Sequence, residues 1–189
     1  MLLRDQSVTM TDRKILLGID PGWANLGFFA QAEGEDKTVE LHFSPKTIGL
    51  SNTVRELTYT LSDYLDNLNW DGNDWVVGEV LIERYVAYKG IHNPDSENIL
   101  MLTGALVYQL QEAFDYGVQM TRAIDWKPFL CKHLYKTKGF KNPSKTFDKE
   151  YSLAAAECLL GRKVLNDHVA DAVCLAYARQ IPGAKFQDI

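Results

Sequence analysis

The sequence predicts one α/β domain whose sheet begins as three consecutive strands and is extended through strand–helix alternation. Three observations predict it. Short apolar runs recur at residues 14–20, 26–32 and 38–43; helical spacing takes over from Val54; and a strand–helix–strand pattern occupies residues 75–124. A chain of 189 residues, 24% charged and 46% hydrophobic, can bury a sizeable core and is too short for a second full domain.

In order, residues 14–20 (KILLGID) form an apolar run ending at an acid, and Pro21-Gly22 supplies turn chemistry before the run at 26–32. This reads as a hairpin, and residues 38–43 alternate as a third strand. Val54, Leu57, Leu61, Tyr64, Leu65 and Leu68 then recur at helical spacing behind a Ser51 or Asn52 cap. Residues 75–82 (WVVGEVLI) predict a buried strand, 96–114 a long apolar helix capped near Asp95 or Ser96, and 118–124 another strand. Residues 125–135, 147–160 and 167–179 are helical in character, interrupted by a lysine-rich loop containing Gly139 and Pro143. Residues 1–13 are expected to be an extension to a domain spanning 14–189.

Composition excludes several classes. Leu2 and Leu3 do not make a signal-peptide core, and no apolar run is long enough to span a bilayer, so a soluble cytoplasmic protein is expected. Cys131, Cys158 and Cys174 are odd in number and lack CxxC spacing, which suggests neither a disulfide framework nor a cysteine zinc site. The net charge of -5 counts against a nucleic-acid binder, but the charge is uneven. Residues 127–149 hold seven lysines (127, 132, 136, 138, 141, 145 and 149) against one acid, Asp148, so this stretch alone carries +6.

The chemistry-bearing residues are acids. Asp20 ends the first strand before Pro-Gly, where an acid is most often a turn residue. Glu83 follows Val80-Leu81-Ile82, and a carboxylate so close to a core needs a partner, a metal or a route to solvent. Glu79, four residues earlier and on the same strand face, is the second choice. On the last predicted helix Asp167, His168 and Asp171 can face one site, although Asp167 could instead cap the helix and leave the other two solvated. Carboxylates gathered from three distant segments repel one another, and divalent cations with a preference for oxygen, Mg²⁺ or Mn²⁺, are the usual remedy.

Taken together, GIDPGWANLG (residues 18–27), LIERYVAYK (81–89) and DHVADAVCLAYA (167–178) resemble the motifs of RuvC-type Holliday-junction resolvases, across about residues 14–180. Weaker correspondences are Leu102-Thr103-Gly104-Ala105 on the long helix, Lys127 beyond the next strand, and Lys149 opening the following helix. The resemblance implies an RNase H-like fold, a five-stranded mixed sheet flanked by helices. It implies a symmetric homodimer that nicks the opposed strands of a four-way junction, with two Mg²⁺ ions per site and Mn²⁺ able to substitute. Asp20, Glu83, His168 and Asp171 would be the catalytic metal ligands, with Asp167 as a neighbour. The same resemblance brings Tyr85 and Tyr88 into a segment that probes the junction centre, where a ring can stack on a base, with ordinary surface or core packing as the equal alternative. Lys127, Lys145 and Lys149 bracket a loop that could sit beside the site and neutralise phosphates, or that could simply be solvated. The longer lysine-rich region near residues 132–143 and the extra N-terminal stretch depart from the bacterial pattern and fit a bacteriophage or other divergent branch.

Other readings are weighed against this one. GIDPGWANLG is also similar to the phosphate loop of actin-like and sugar-kinase ATPases, but those need a second domain and loop, and no Walker-type motif is present. A non-catalytic binding module would be expected to have lost at least one of the four ligands. A nuclease of the same fold acting on flaps, forks or an RNA–DNA hybrid stays open, because substrate shape is read elsewhere than by the ligands. His42, His92, His133 and Trp23 receive no role.

Overall fold

The computed structural model describes residues 13–32, 38–46, 49–66, 75–86, 95–113 and 116–188. Tyr88, His92 and Leu68, and all but the last residue of the expected N-terminal extension, lie outside the described residues. The elements are β1 (Arg13–Pro21), β2 (Leu26–Ala32), β3 (Thr38–Phe43), α1 (Leu50–Asp66), β4 (Trp75–Glu83), α2 (Ser96–Tyr108), β5 (Val118–Thr121), α3 (Ala123–Lys138), α4 (Lys149–Leu160), α5 (Asp167–Ala178) and β6 (Gln187–Asp188). They form the mixed α/β sheet expected, in the order β3-β2-β1-β4-β5-β6. The first three strands pair antiparallel, β4 joins β1 and β5 joins β4 in parallel, and β6 returns antiparallel.

Strand alternation assigns each face its helices. Ile15, Leu17 and Ile19 of β1, with Val80 and Ile82 of β4, pack against Leu57 and Leu61 of α1 and Leu102 and Leu106 of α2. The opposite face carries Leu16, Phe29 and Leu81 under α3, α4 and α5. Gly78 sets this phase. Ile15 pairs with Val77 and Leu16 with Glu79, so Gly78 is one extra residue in β4, a bulge. Past it, Glu79, Leu81 and Glu83 all lie on the α5 side.

Several expectations are corrected. The sheet has six strands rather than five, because two exposed residues, Gln187 and Asp188, form an edge pair too short and polar to show in any apolar pattern. Helix α1 starts at Leu50, with the Gly49 carbonyl accepting from Thr53, so neither Ser51 nor Asn52 caps it. Helix α2 ends at Tyr108 and continues as a π turn through Ala113, and Asp95 supplies no side-chain cap. Strand β5 stops at Thr121 because Arg122 turns the chain into α3. Among the described residues, no helix is long and apolar enough to cross a membrane.

Candidate active site

The site lies at the carboxyl ends of β1 and β4, where parallel strands of an α/β sheet present their terminal side chains. Ile19 pairs with Ile82, so the next residues, Asp20 and Glu83, stand on neighbouring strand ends. The first turn of α5 closes over them. Asn166, not Asp167, caps this helix, its Oδ1 accepting from the Val169 amide at 3.0 Å. The helix comes this near because two motif residues are glycines. A Cβ at Gly18 would fall 2.3 Å from the Ala172 carbonyl oxygen, and one at Gly27 would fall 2.1 Å from that of His168. Part of the GIDPGWANLG signature is therefore packing: it lets α5 lie against bare backbone.

Each acid is held by one oxygen. His168 Nδ1 meets Asp20 Oδ2 at 2.7 Å. The Trp126 indole N–H donates to Glu83 Oε2 at 3.1 Å. Asp171 Oδ1 accepts from the Ser152 hydroxyl at 2.6 Å and from the Lys127 ammonium, also at 2.6 Å. The second oxygens of the three carboxylates have no hydrogen-bond partner among the described residues. At the rim, Lys149 Nζ pairs with Asp167 Oδ2 at 2.5 Å.

The electrostatics follow from burial. Burial raises the pKa of Asp20, with Asp171 adding repulsion and His168 and Lys127 opposing. Burial also pushes Glu83 up to about 8, against the pull of Lys127 and the Trp126 hydrogen bond. The hydrogen bond to Asp20 holds the His168 pKa above its ordinary value. Burial works against the Lys127 ammonium, but Asp171 and Glu83 outweigh it and raise the pKa. Lys127 is thus the internal counterion of an acidic cluster rather than a displayed phosphate contact, its side chain only 7% exposed.

Of the residues singled out from sequence, Asp20, Glu83, His168, Asp171 and Lys127 meet here, and Asp167 stands beside them holding Lys149. The alternative in which His168 and Asp171 are solvated is overturned by their hydrogen bonds. Lys145 stands exposed on the loop before α4 and touches none of the acids. Tyr85 is half-buried and tied through its hydroxyl to Ser96 Oγ at 2.8 Å. Glu79 is bound elsewhere, to Arg179. Trp126 and Ser152 were missed, and neither carried a local signal, since their partners lie 43 and 19 residues away.

A half-buried set of three carboxylates and an imidazole, each carboxylate with one uncommitted oxygen, has the donor chemistry of a site for a hard divalent ion. As they stand, no three His, Cys, Asp or Glu groups among the described residues converge closely enough to hold one. The Lys127 ammonium, paired with Asp171, offsets part of their charge.

Fold and site together define a mixed α/β domain with a half-buried acidic cluster at its strand ends. The fold is RNase H-like and similar to that of RuvC. T. thermophilus RuvC, solved in complex with a Holliday junction substrate, superposes with a TM-score of 0.60 at 19% identity, covering 92% of this chain and 99% of that one. A second Thermus thermophilus RuvC structure gives 0.58 at 20% identity with the same coverage. No protein-family description and no curated protein sequence matches the chain.

Proposed function

We propose that this protein is a structure-selective endodeoxyribonuclease that resolves four-way DNA junctions by paired, symmetric nicks, leaving 5′-phosphate and 3′-hydroxyl ends. What supports the reading is that Asp20, paired with His168, stands beside Glu83 and Asp171 at the strand ends of a fold shared with a protein solved on a Holliday junction. These four residues would hold Mg²⁺, with Mn²⁺ substituting and two ions per site. When bound, the ions supply an activated water on one side of the phosphodiester and charge stabilisation of the leaving 3′ oxygen on the other.

The chain's own groups prepare that chemistry. His168 engages Asp20 through Nδ1 and so fixes one Asp20 oxygen, leaving the other to act as a ligand. Trp126 and Ser152 do the same for Glu83 and Asp171. Lys127 offsets part of the negative charge before and during ion entry. Lys149, exposed and paired with Asp167 at the rim, would be available to an approaching phosphate.

Two opposed strands require two sites, and the exposed face of α2 supports a homodimer. Leu100, Met101 and Tyr108 are exposed there and Gly104 meets open space. Beside them runs a groove of about 400 Å³ lined by Tyr85, Thr103, Val107 and Met120. A second copy pairing along α2 would bury this face, and light scattering at twice the monomer mass checks it.

The decisive experiment offers a labelled synthetic four-way junction beside a flap, a fork, an RNA–DNA hybrid and plain duplex, with Mg²⁺, Mn²⁺ or EDTA. Wild type is expected to make paired, metal-dependent nicks near the junction centre. Asp20→Asn is expected to bind the junction without cutting it. Preference for another substrate would keep the chemistry and reassign the role, and wild-type cutting by Asp20→Asn would overturn the site.

A further inference from the structure

The seven lysines of residues 127–149 do different jobs. Lys127 is buried against Asp171. Lys138 donates to the last carbonyls of α4, Cys158 O at 3.0 Å and Leu159 O at 3.2 Å. Lys149 pairs with Asp167. Lys132, Lys136, Lys141 and Lys145 are exposed and have no ion pair among the described residues.

The same contacts define the path of the chain. The hydroxyl of Tyr151, at the start of α4, donates to the Lys127 carbonyl near the start of α3, and Lys138 joins the two C-terminal ends. The helices therefore run in the same direction, and residues 139–148 must travel back along them, from the far end of α3 to the rim of the acidic site. This return loop is built. Phe140 and Phe147 contact the Tyr151 ring edge-on at 6.1 and 5.0 Å. Ser144 N donates to Asn142 Oδ1, Asn142 Nδ2 donates to Thr146 O, and the Ser144 and Thr146 hydroxyls donate to Asp148 at 2.6 and 2.7 Å. Asp148, the segment's lone acid, also accepts from the amides of Glu150 and Tyr151, so its carboxylate is committed to loop and helix cap rather than to a lysine.

We propose that the return loop is a guide for the DNA backbone, with Lys141 and Lys145 taking successive phosphates of the strand that runs to the acidic site. The inference rests on the nuclease reading and adds the element that holds the substrate arm. An ordered loop that presents like charges without counterions incurs self-repulsion, and a polyanion relieves it. Contacts of this kind are blind to base sequence and depend steeply on salt.

The test measures binding of a labelled four-way junction and of plain duplex in Ca²⁺ or EDTA across a salt series. It compares wild type, Lys141→Gln/Lys145→Gln and, as a charge-matched control on the outer face of α3, Lys132→Gln/Lys136→Gln. The loop variant is expected to bind both DNAs more weakly and to lose about two counterions from the salt slope. Its deficit should then narrow about tenfold between about 50 and about 200 mM salt. Its melting temperature and its metal titration should match wild type, which separates lost contact from lost folding. A slope equal to wild type overturns the guide and leaves the nuclease reading standing. An equal loss in the α3 variant overturns it in favour of a diffuse field. Failure of wild type to bind branched DNA at all removes both.

Discussion

Glu79 and Glu83 lie four residues apart on the same face of β4, and α5 spans them both. At the N-terminal end of α5, Glu83 is enclosed with Asp20 and Asp171 beside Trp126 and Lys127, and its pKa stands near 8. At the C-terminal end, Glu79 is 41% exposed and takes both Arg179 nitrogens at 3.1 Å, with the guanidinium resting 5.7 Å from the Phe186 ring. One carboxylate is surrounded by its own charge and the other is satisfied. The difference teaches what marks out a candidate ligand acid: the clamp is complete in itself, whereas the cluster keeps uncommitted oxygens.

The largest expected effect comes from Glu83→Gln, which keeps size and removes the ligand charge. Cleavage of the junction should be lost, while thermal stability holds or rises because a buried carboxyl with a costly ionised form is gone. Cleavage within about tenfold of wild type would sink the assignment of Glu83, on a scale where losing a single transition-state donor costs about 10²–10³.

Next in size is a pH effect on the metal-free protein. Glu83 keeps its proton to about 8 when folded, against an ordinary value of 4.5, and Asp20 is shifted in the same direction. Between these limits the unfolded chain binds fewer protons than the native one, so stability should fall as pH rises through the window. Added Mg²⁺ should reverse the trend, raising the melting temperature more at pH 8 than at pH 5.5. A metal-free melting temperature that climbs across the window would contradict the cluster.

Trp126→Phe sharpens the comparison further. It preserves most of the buried ring and deletes the donor to Glu83 Oε2. Loss of an outer hydrogen bond to a ligand typically weakens metal affinity about 10- to 100-fold. Calorimetric titration with Mn²⁺ reads that directly, and unchanged affinity with a lowered melting temperature would make Trp126 a packing residue.

How much of this was legible beforehand depended on whether the signal was local. The strands around Asp20 and Glu83 showed because each acid ends an apolar run, and α5 showed through its apolar stretch after Asp171. The bulge at Gly78 was invisible, although it fixes which face Glu83 occupies, because register is a property of two strands. Trp126 and Ser152 read as ordinary helix residues for the same reason. Lys127 looked like a phosphate contact, and only tertiary packing reveals it as a counterion to Asp171. The two-residue β6 had no pattern to detect.

The smallest effect belongs to the opposite end of the β4–α5 contact. Glu79→Gln breaks a bidentate ion pair whose partners are more than a third exposed, so water and salt screen most of its worth, and less than about 1 kcal/mol of stability should be lost. Cleavage should not change, because Arg179 loses only a partner it can replace with water, and the Ala172–Gly18 contact still seats α5. Melting and junction cleavage, measured together against Glu83→Gln, test whether the two ends are independent. If Glu79→Gln instead slowed cleavage as Glu83→Gln does, charge at the clamp would be reaching the ligands along α5, and the two glutamates would belong to one network.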